Sequence, residues 1–199
     1  MADSALPIGS AAHSYGLETM AEDGLLTPEN LEQFLRDYLY EAGLLEAVFV
    51  RRAWGLRSWR NLNDELSARK VARESRHASL TLGRRFAQLV NSWLGAPMVE
   101  AGLHYSIAFG AACAFLGVAE EHAAPAYLQQ SVTSMVSSCQ RLLPLGQTAA
   151  TGIIWSLKDA IARAAGAALS LDEDVSCFSP MLELSSMRHG MLETRLFIS

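Results

Sequence analysis

Residues 101–119, AGLHYSIAFGAACAFLGVA, hold no Asp, Glu, Lys or Arg, and this run limits the fold more than any other part of the chain. A helix that is apolar on every face must be surrounded, by protein or by lipid. A membrane span needs about 20 apolar residues, a length the run nearly reaches. His104 and three glycines interrupt it, Glu100, Glu120 and Glu121 stand at its borders, and no basic residue lies close, as a cytoplasmic border would require. These features favour a buried central helix over residues 104–117, with a membrane-associated helix as the competing reading.

The remaining pattern is helical throughout. Thr27-Pro28-Glu29 combines a hydroxyl cap, proline at the first helical position and an acid near the positive end of the dipole. Leu31, Phe34, Leu35, Tyr38, Leu39 and Ala42 then fall on one face. Shorter helices are expected over 44–57 and 60–70, and a longer one over Arg73–Leu94, bounded by Gly95-Ala96-Pro97. Apolar residues from Leu128 to Leu143 keep helical spacing until Pro144, and a last long helix is predicted over Gln147–Leu169 with Ile154, Leu157, Ile161 and Ala165 inward. Small residues at Gly110-Ala111-Ala112 and Ala164–Ala168 suit close helix packing. No stretch alternates between hairpin turns, so the chain reads as all-α. Its 199 residues suffice for one sizeable core, which predicts a single-domain multi-helix bundle over 1–199. Asp172-Glu173-Asp174 and Ser179-Pro180 mark an exposed linker, and 180–199 follows as a terminal docking segment that either docks on its own bundle or becomes ordered on binding a partner, two compatible readings.

Charge is unevenly spread. Residues 1–50 carry one basic and nine acidic side chains, 51–85 carry ten and three, and the rest five and nine. The basic block reads as a solvated helix face bearing Arg69, Lys70, Arg73 and Arg76, or as a surface for an acidic partner. Nucleic acid is disfavoured by the net charge of −5 and by the lack of a reader motif. Cys113, Cys139 and Cys177 form no CxxC pair and no signal peptide is seen, which fits a reducing cytoplasm.

Signs of catalysis are few. The chain has no G-x-x-x-x-G-K-[ST], no G-x-S-x-G and no H-E-x-x-H, so nucleotide hydrolysis is assigned elsewhere. Its five histidines are scattered without metal-ligand spacing, and no stably bound metal or cofactor is expected. A helical-bundle enzyme using Glu100 and His104, four residues apart, is the weaker alternative.

The two ends look specified residue by residue. Residues 3–18 read DSALPIGSAAHSYGLE and 185–197 read SSMRHGMLETRLF, mixing turn residues, hydroxyls and charges as no amphipathic template requires. Arg141 lies just before Leu143-Pro144-Leu145-Gly146-Gln147, either as a helix-end charge or as a cation that a stiff loop presents to a partner. The preferred reading is the second. Leu6-Pro7-Ile8-Gly9 with His13–Glu18, then Arg141–Gln147, then Ser186-Met187-Arg188-His189 and Thr194-Arg195-Leu196-Phe197 together resemble the urease accessory protein UreF family over essentially the whole chain.

That resemblance implies an all-α, cytoplasmic, dimeric, non-enzymatic protein. It implies binding to a UreD-type partner (UreH in some organisms) and recruitment of the GTPase UreG onto apo-urease. Nickel would be handled by the complex and GTP bound by UreG. Ser186, Met187, Arg188, His189, Arg195, Leu196 and Phe197 would then lie at or near the UreD-type interface. Arg141, Leu145, Gly146 and Gln147, with Pro7, Gly9, Ser14, Gly16 and Glu18, would shape the dimer or GTPase-facing surface. Gly190 and Ile198 stand where family members commonly carry Glu and a basic residue.

Overall fold

The computed structural model describes residues 6–171 and 175–198, and among these every regular element is helical. In chain order they are α1 (Leu17–Glu22), α2 (Leu31–Tyr40), α3 (Ala42–Trp54), α4 (Arg60–Arg69), α5 (Arg73–Leu94), α6 (Tyr105–Phe115), α7 (Glu120–Leu142), α8 (Gln147–Ser156), α9 (Lys158–Ser170) and α10 (Pro180–Arg188). The charge-free run becomes α6, buried at every residue from Tyr105 to Cys113. At 11 residues it is too short to span a bilayer, and no described helix is long and apolar enough to do so.

Helices α3 and α5 pack on α6 most closely, with α7 alongside and α9 against α3 and α7. Small residues set this closeness. A Cβ on Gly110 would lie 2.1 Å from the carbonyl oxygen of Val50 on α3, and one on Gly83 would lie 2.0 Å from that of Leu103. Phe86, Tyr105, Phe109 and Tyr127 fill the space between α5, α6 and α7, with neighbouring rings 5.4–6.1 Å apart.

The helix-start signal at Thr27 is real but leads into α2 through one turn. Asn30 Oδ1 accepts from the Thr27 N–H at 2.9 Å, and the Leu31 N–H donates to the Thr27 carbonyl at 3.1 Å. Ala42, expected on the same helix, instead opens α3. Helix α5 matches its predicted span and ends at Gly95 with φ 66°, the left-handed stop that glycine accepts. Helix α7 begins eight residues before its expected apolar periodicity, because Glu120 and Glu121 suit a helix start; Pro125, its sixth residue, cannot donate to the Glu121 carbonyl. The predicted helix over 147–169 is two helices bent at Leu157. There the Ser156 hydroxyl and the Leu157 N–H share the Ile153 carbonyl, at 2.9 and 3.2 Å. Leu157, Ile161 and Ala165 are buried as expected, and Ile154 is half-buried.

Arg69, Lys70, Arg73 and Arg76 do not form one solvated face. Arg52 and Arg69 both pair with Glu65 at 2.9 and 3.1 Å, Arg51 donates to the Leu171 carbonyl at 2.9 Å, and Arg76 to that of Lys70 at 3.1 Å. Arg69 also reaches the Val175 carbonyl, and Lys70 pairs with buried Glu46. Of the four residues in that reading, Arg73 alone is exposed. Burial alone would push the Glu46 carboxyl up, but the Lys70 ammonium holds it below its ordinary value.

Glu100 and His104 do not share a helix. Glu100 is exposed on the connection, whereas His104 is buried at the start of α6 and contacts the Ser67 and Ser79 hydroxyls at 2.8 and 3.0 Å. Burial, with Lys70 nearby, pushes its imidazole down to about 4, so it stays neutral at pH 7. His13 is likewise buried and pushed down to about 4, with Arg85 adding to the effect. Both folded values lie below the unfolded value near 6.5, so between about 4 and 6.5 the unfolded chain binds more protons. Stability is therefore expected to fall as pH drops from 6.5, before most carboxylates titrate. The slope of Tm against pH should correspond to about two protons, and to about one in His104→Gln. A flat Tm between pH 6.5 and 5 would contradict the burial of these rings.

Candidate functional site

The three motifs that stand far apart in sequence meet at one end of the bundle. The N-terminal loop turns at Gly9 and Gly16, with φ 82° and 86°, where only glycine is free of strain. Gly9 also leaves room for Arg85, whose guanidinium donates to the Ile8 carbonyl at 3.2 Å. Gly16 presents bare backbone to α10: a Cβ there would lie 3.0 Å from the Leu182 carbonyl oxygen and from the Ser186 N and Oγ. This contact lets α1 and α10 pack together, with Ser14, Ser185 and Ser186 buried between and around them.

Glu18 is the hub. Its buried carboxylate meets His189 Nε2 at 2.7 Å and accepts from the backbone N–H of Leu196 at 2.5 Å and of Phe197 at 3.3 Å. The last segment is thereby folded back on the first helix. Arg188 adds a two-point pair with Asp23 at 2.6 and 3.3 Å, and the Ile198 N–H donates to the Ala12 carbonyl at 2.8 Å.

Arg141 completes the junction from α7. Its guanidinium donates to the Ala11 carbonyl at 2.8 Å and to that of Leu196 at 3.4 Å, and it sits 4.3 Å from the centre of the buried Phe197 ring. Exposed in the last turn of α7, as the helix-end reading has it, Arg141 also joins both chain ends, a contact neither sequence reading foresaw. Within its loop Leu145 packs on the core, and Gln147 accepts from Gln140 at 2.9 Å. Gly146 has an ordinary φ of −71° and nothing near its Cβ position, so neither backbone nor packing requires glycine there.

The outward side of this junction is apolar. Along α10 and the tail, Phe178, Met181, Leu184, Met187, Met191, Leu196 and Ile198 are all exposed, from 40% at Met187 to 82% at Met191. Arg195 is exposed among them with no partner among the described residues, and Pro7 is exposed on the N-terminal loop. The terminal motif therefore divides into anchors (Ser186, Arg188, His189, Phe197) and outward groups (Met187, Arg195, Leu196). Sequence reading missed Asp23, Arg85 and the carbonyls of Ala11 and Ala12, because an ion pair across 165 positions leaves no local trace. Residues Asp172–Asp174 of the expected linker lie outside the described residues; Ser179 is half-buried and Pro180 opens α10.

Chemistry is sparse here. Burial pushes the Cys113 and Cys139 thiols up to about 12, far from a reactive thiolate. Among the described residues no three His, Cys, Asp or Glu side chains gather in a way that could hold a metal ion.

The UreF family model matches residues 25–158. A urease accessory protein UreF from Nostoc sp. is 36% identical over 100% of this chain and 93% of its own length. One from Paenarthrobacter aurescens is also 36% identical, covering 100% and 95%, and one from Bacillus sp. is 28% identical, covering 100% and 96%. The similarity spans the whole chain, and the chain belongs to the UreF family of urease accessory proteins.

Proposed function

We propose that this chain is a cytoplasmic, non-enzymatic scaffold of urease maturation that acts as a homodimer. It docks a UreD/UreH-type accessory protein through the outer face of α10 and the tail. With that partner it brings a UreG-type GTPase onto apo-urease, so that nickel enters while the GTPase changes state. Coupling of this kind needs contacts that differ between the two nucleotide states of the GTPase. The scaffold contributes placement, and neither nickel nor GTP is held stably by it.

One observation carries this reading. A helix held on its inner side through Gly16 and Asp23 leaves a stripe of exposed apolar side chains, Met181, Leu184 and Met187. Soluble proteins seldom expose contiguous apolar surface on an ordered element unless something covers it. Arg195 in the tail supplies a cation suited to interface anchoring.

The test introduces charge where the fold does not need apolarity. Leu184→Asp combined with Met191→Asp should leave helical content and Tm unchanged, since both side chains are exposed. The same variant should weaken binding to purified UreD-type partner by more than about tenfold, with urease activation falling in parallel. Activation at the wild-type level would remove this face from the mechanism.

A further inference from the structure

A groove of about 350 Å³ runs beside the stripe, between α2 and the start of α10. Met20, Phe34 and Leu182 lie along it, and Asp37, Glu41 and Phe178 also border it. Its charged groups are both acidic, and no Lys or Arg is among the described residues that line it. Glu41 accepts from the Phe178 N–H at 2.8 Å, which seats the 79% exposed Phe178 ring at the lip. The nearest cation in sequence, Arg36, is taken by Glu32 at 2.8 Å. Asp37 and Glu41 thus place part of the acidic character of residues 1–50 at this opening.

We propose that the groove receives a segment of the partner protein carrying one large apolar side chain flanked by Lys or Arg. The floor buries the apolar group, and the carboxylates attract and orient the flanking cation. This rests on the docking face proposed above and adds to it the chemistry of the element that docks. Charge at the rim of an interface acts mainly on the rate of association and makes it salt-dependent.

The experiment measures association of the full chain with purified UreD-type partner at low and high salt, comparing Asp37→Lys, Asp37→Asn and Leu184→Asp. Asp37 is exposed and bonds Gln33 on its own helix, so both of its variants should fold. At low salt, Asp37→Lys should weaken binding about tenfold and Asp37→Asn about threefold, mostly through slower association, and high salt should narrow the gap. Wild-type binding by Asp37→Lys at every salt, with binding lost in Leu184→Asp, would overturn the groove proposal while leaving the docking face intact. Wild-type binding by Leu184→Asp as well would overturn both. If Asp37→Lys instead alters self-association in sedimentation without touching partner binding, the occupant is a second copy of the chain and the proposal is wrong.

Discussion

Gly110→Val is expected to cost at least about 3 kcal/mol of stability, more than an ordinary overpacking change of about 1–3 kcal/mol. The added Cβ would stand 2.1 Å from the Val50 carbonyl oxygen, 2.9 Å from its carbon and 3.1 Å from the Ala53 Cβ. The first two atoms are backbone of α3 and cannot rotate away, so α3 and α6 must separate along their shared face. That face belongs to the most buried helix, and its separation loosens packing on every side. For a chain of this size the loss corresponds to a fall in Tm of about 10 °C, measurable by thermal denaturation followed by circular dichroism. Gly166→Ala is the control. It lies within α9 with nothing within 4 Å of its Cβ position, and should be neutral or slightly stabilising. Equal Tm values for Gly110→Val and wild type would refute the close approach of α3 and α6.

Glu18→Ala should have the larger functional effect. It strips the buried acceptor from His189 and from the N–H groups of Leu196 and Phe197, a loss of about 3 kcal/mol for a charged hydrogen-bond hub. Helices α3, α5, α6 and α7 do not depend on this carboxylate, so the cost is relieved by release of residues 189–198 rather than by global unfolding. Amide exchange at Leu196, Phe197 and Ile198 should accelerate about a hundredfold, while amides of α6 keep their protection. Partner binding should fall at least about tenfold, because the outward Met191, Arg195 and Leu196 lose their fixed placement. Glu18→Gln keeps the shape and one carbonyl acceptor and should recover part of both effects. Unchanged exchange at 196–198 would show that Glu18 does not hold the tail.

Much of the architecture was legible in the chain itself. The uncharged run predicted a surrounded helix, since no charged side chain there needs water, and α6 is that helix. Arg73–Leu94 was legible to the residue because a long periodic stretch ended at a glycine able to take φ 66°. The break at Leu157 was hidden, because residues 154, 157, 161 and 165 keep helical spacing across it. The basic block misled for a related reason. Composition shows that cations are present, but not that Arg51 and Arg69 turn inward to cap the carbonyls of Leu171 and Val175, more than 100 positions away.

The sequence by itself determined that this chain forms helices, that one helix must be buried, and that its two ends and the Arg141 loop carry information beyond packing. Those properties are local: they follow from periodicity, charge and the conformational range of glycine and proline. Tertiary structure alone decided that the ends meet, that Arg141 clamps them instead of standing free, and that one side of α10 is anchored while the other faces outward. Hydrogen bonds from the Leu196 N–H to Glu18 and from Arg141 to the Ala11 carbonyl join residues 178 and 130 positions apart. Such pairings depend on how the whole core places α1, α7 and α10, which no stretch of neighbouring residues encodes.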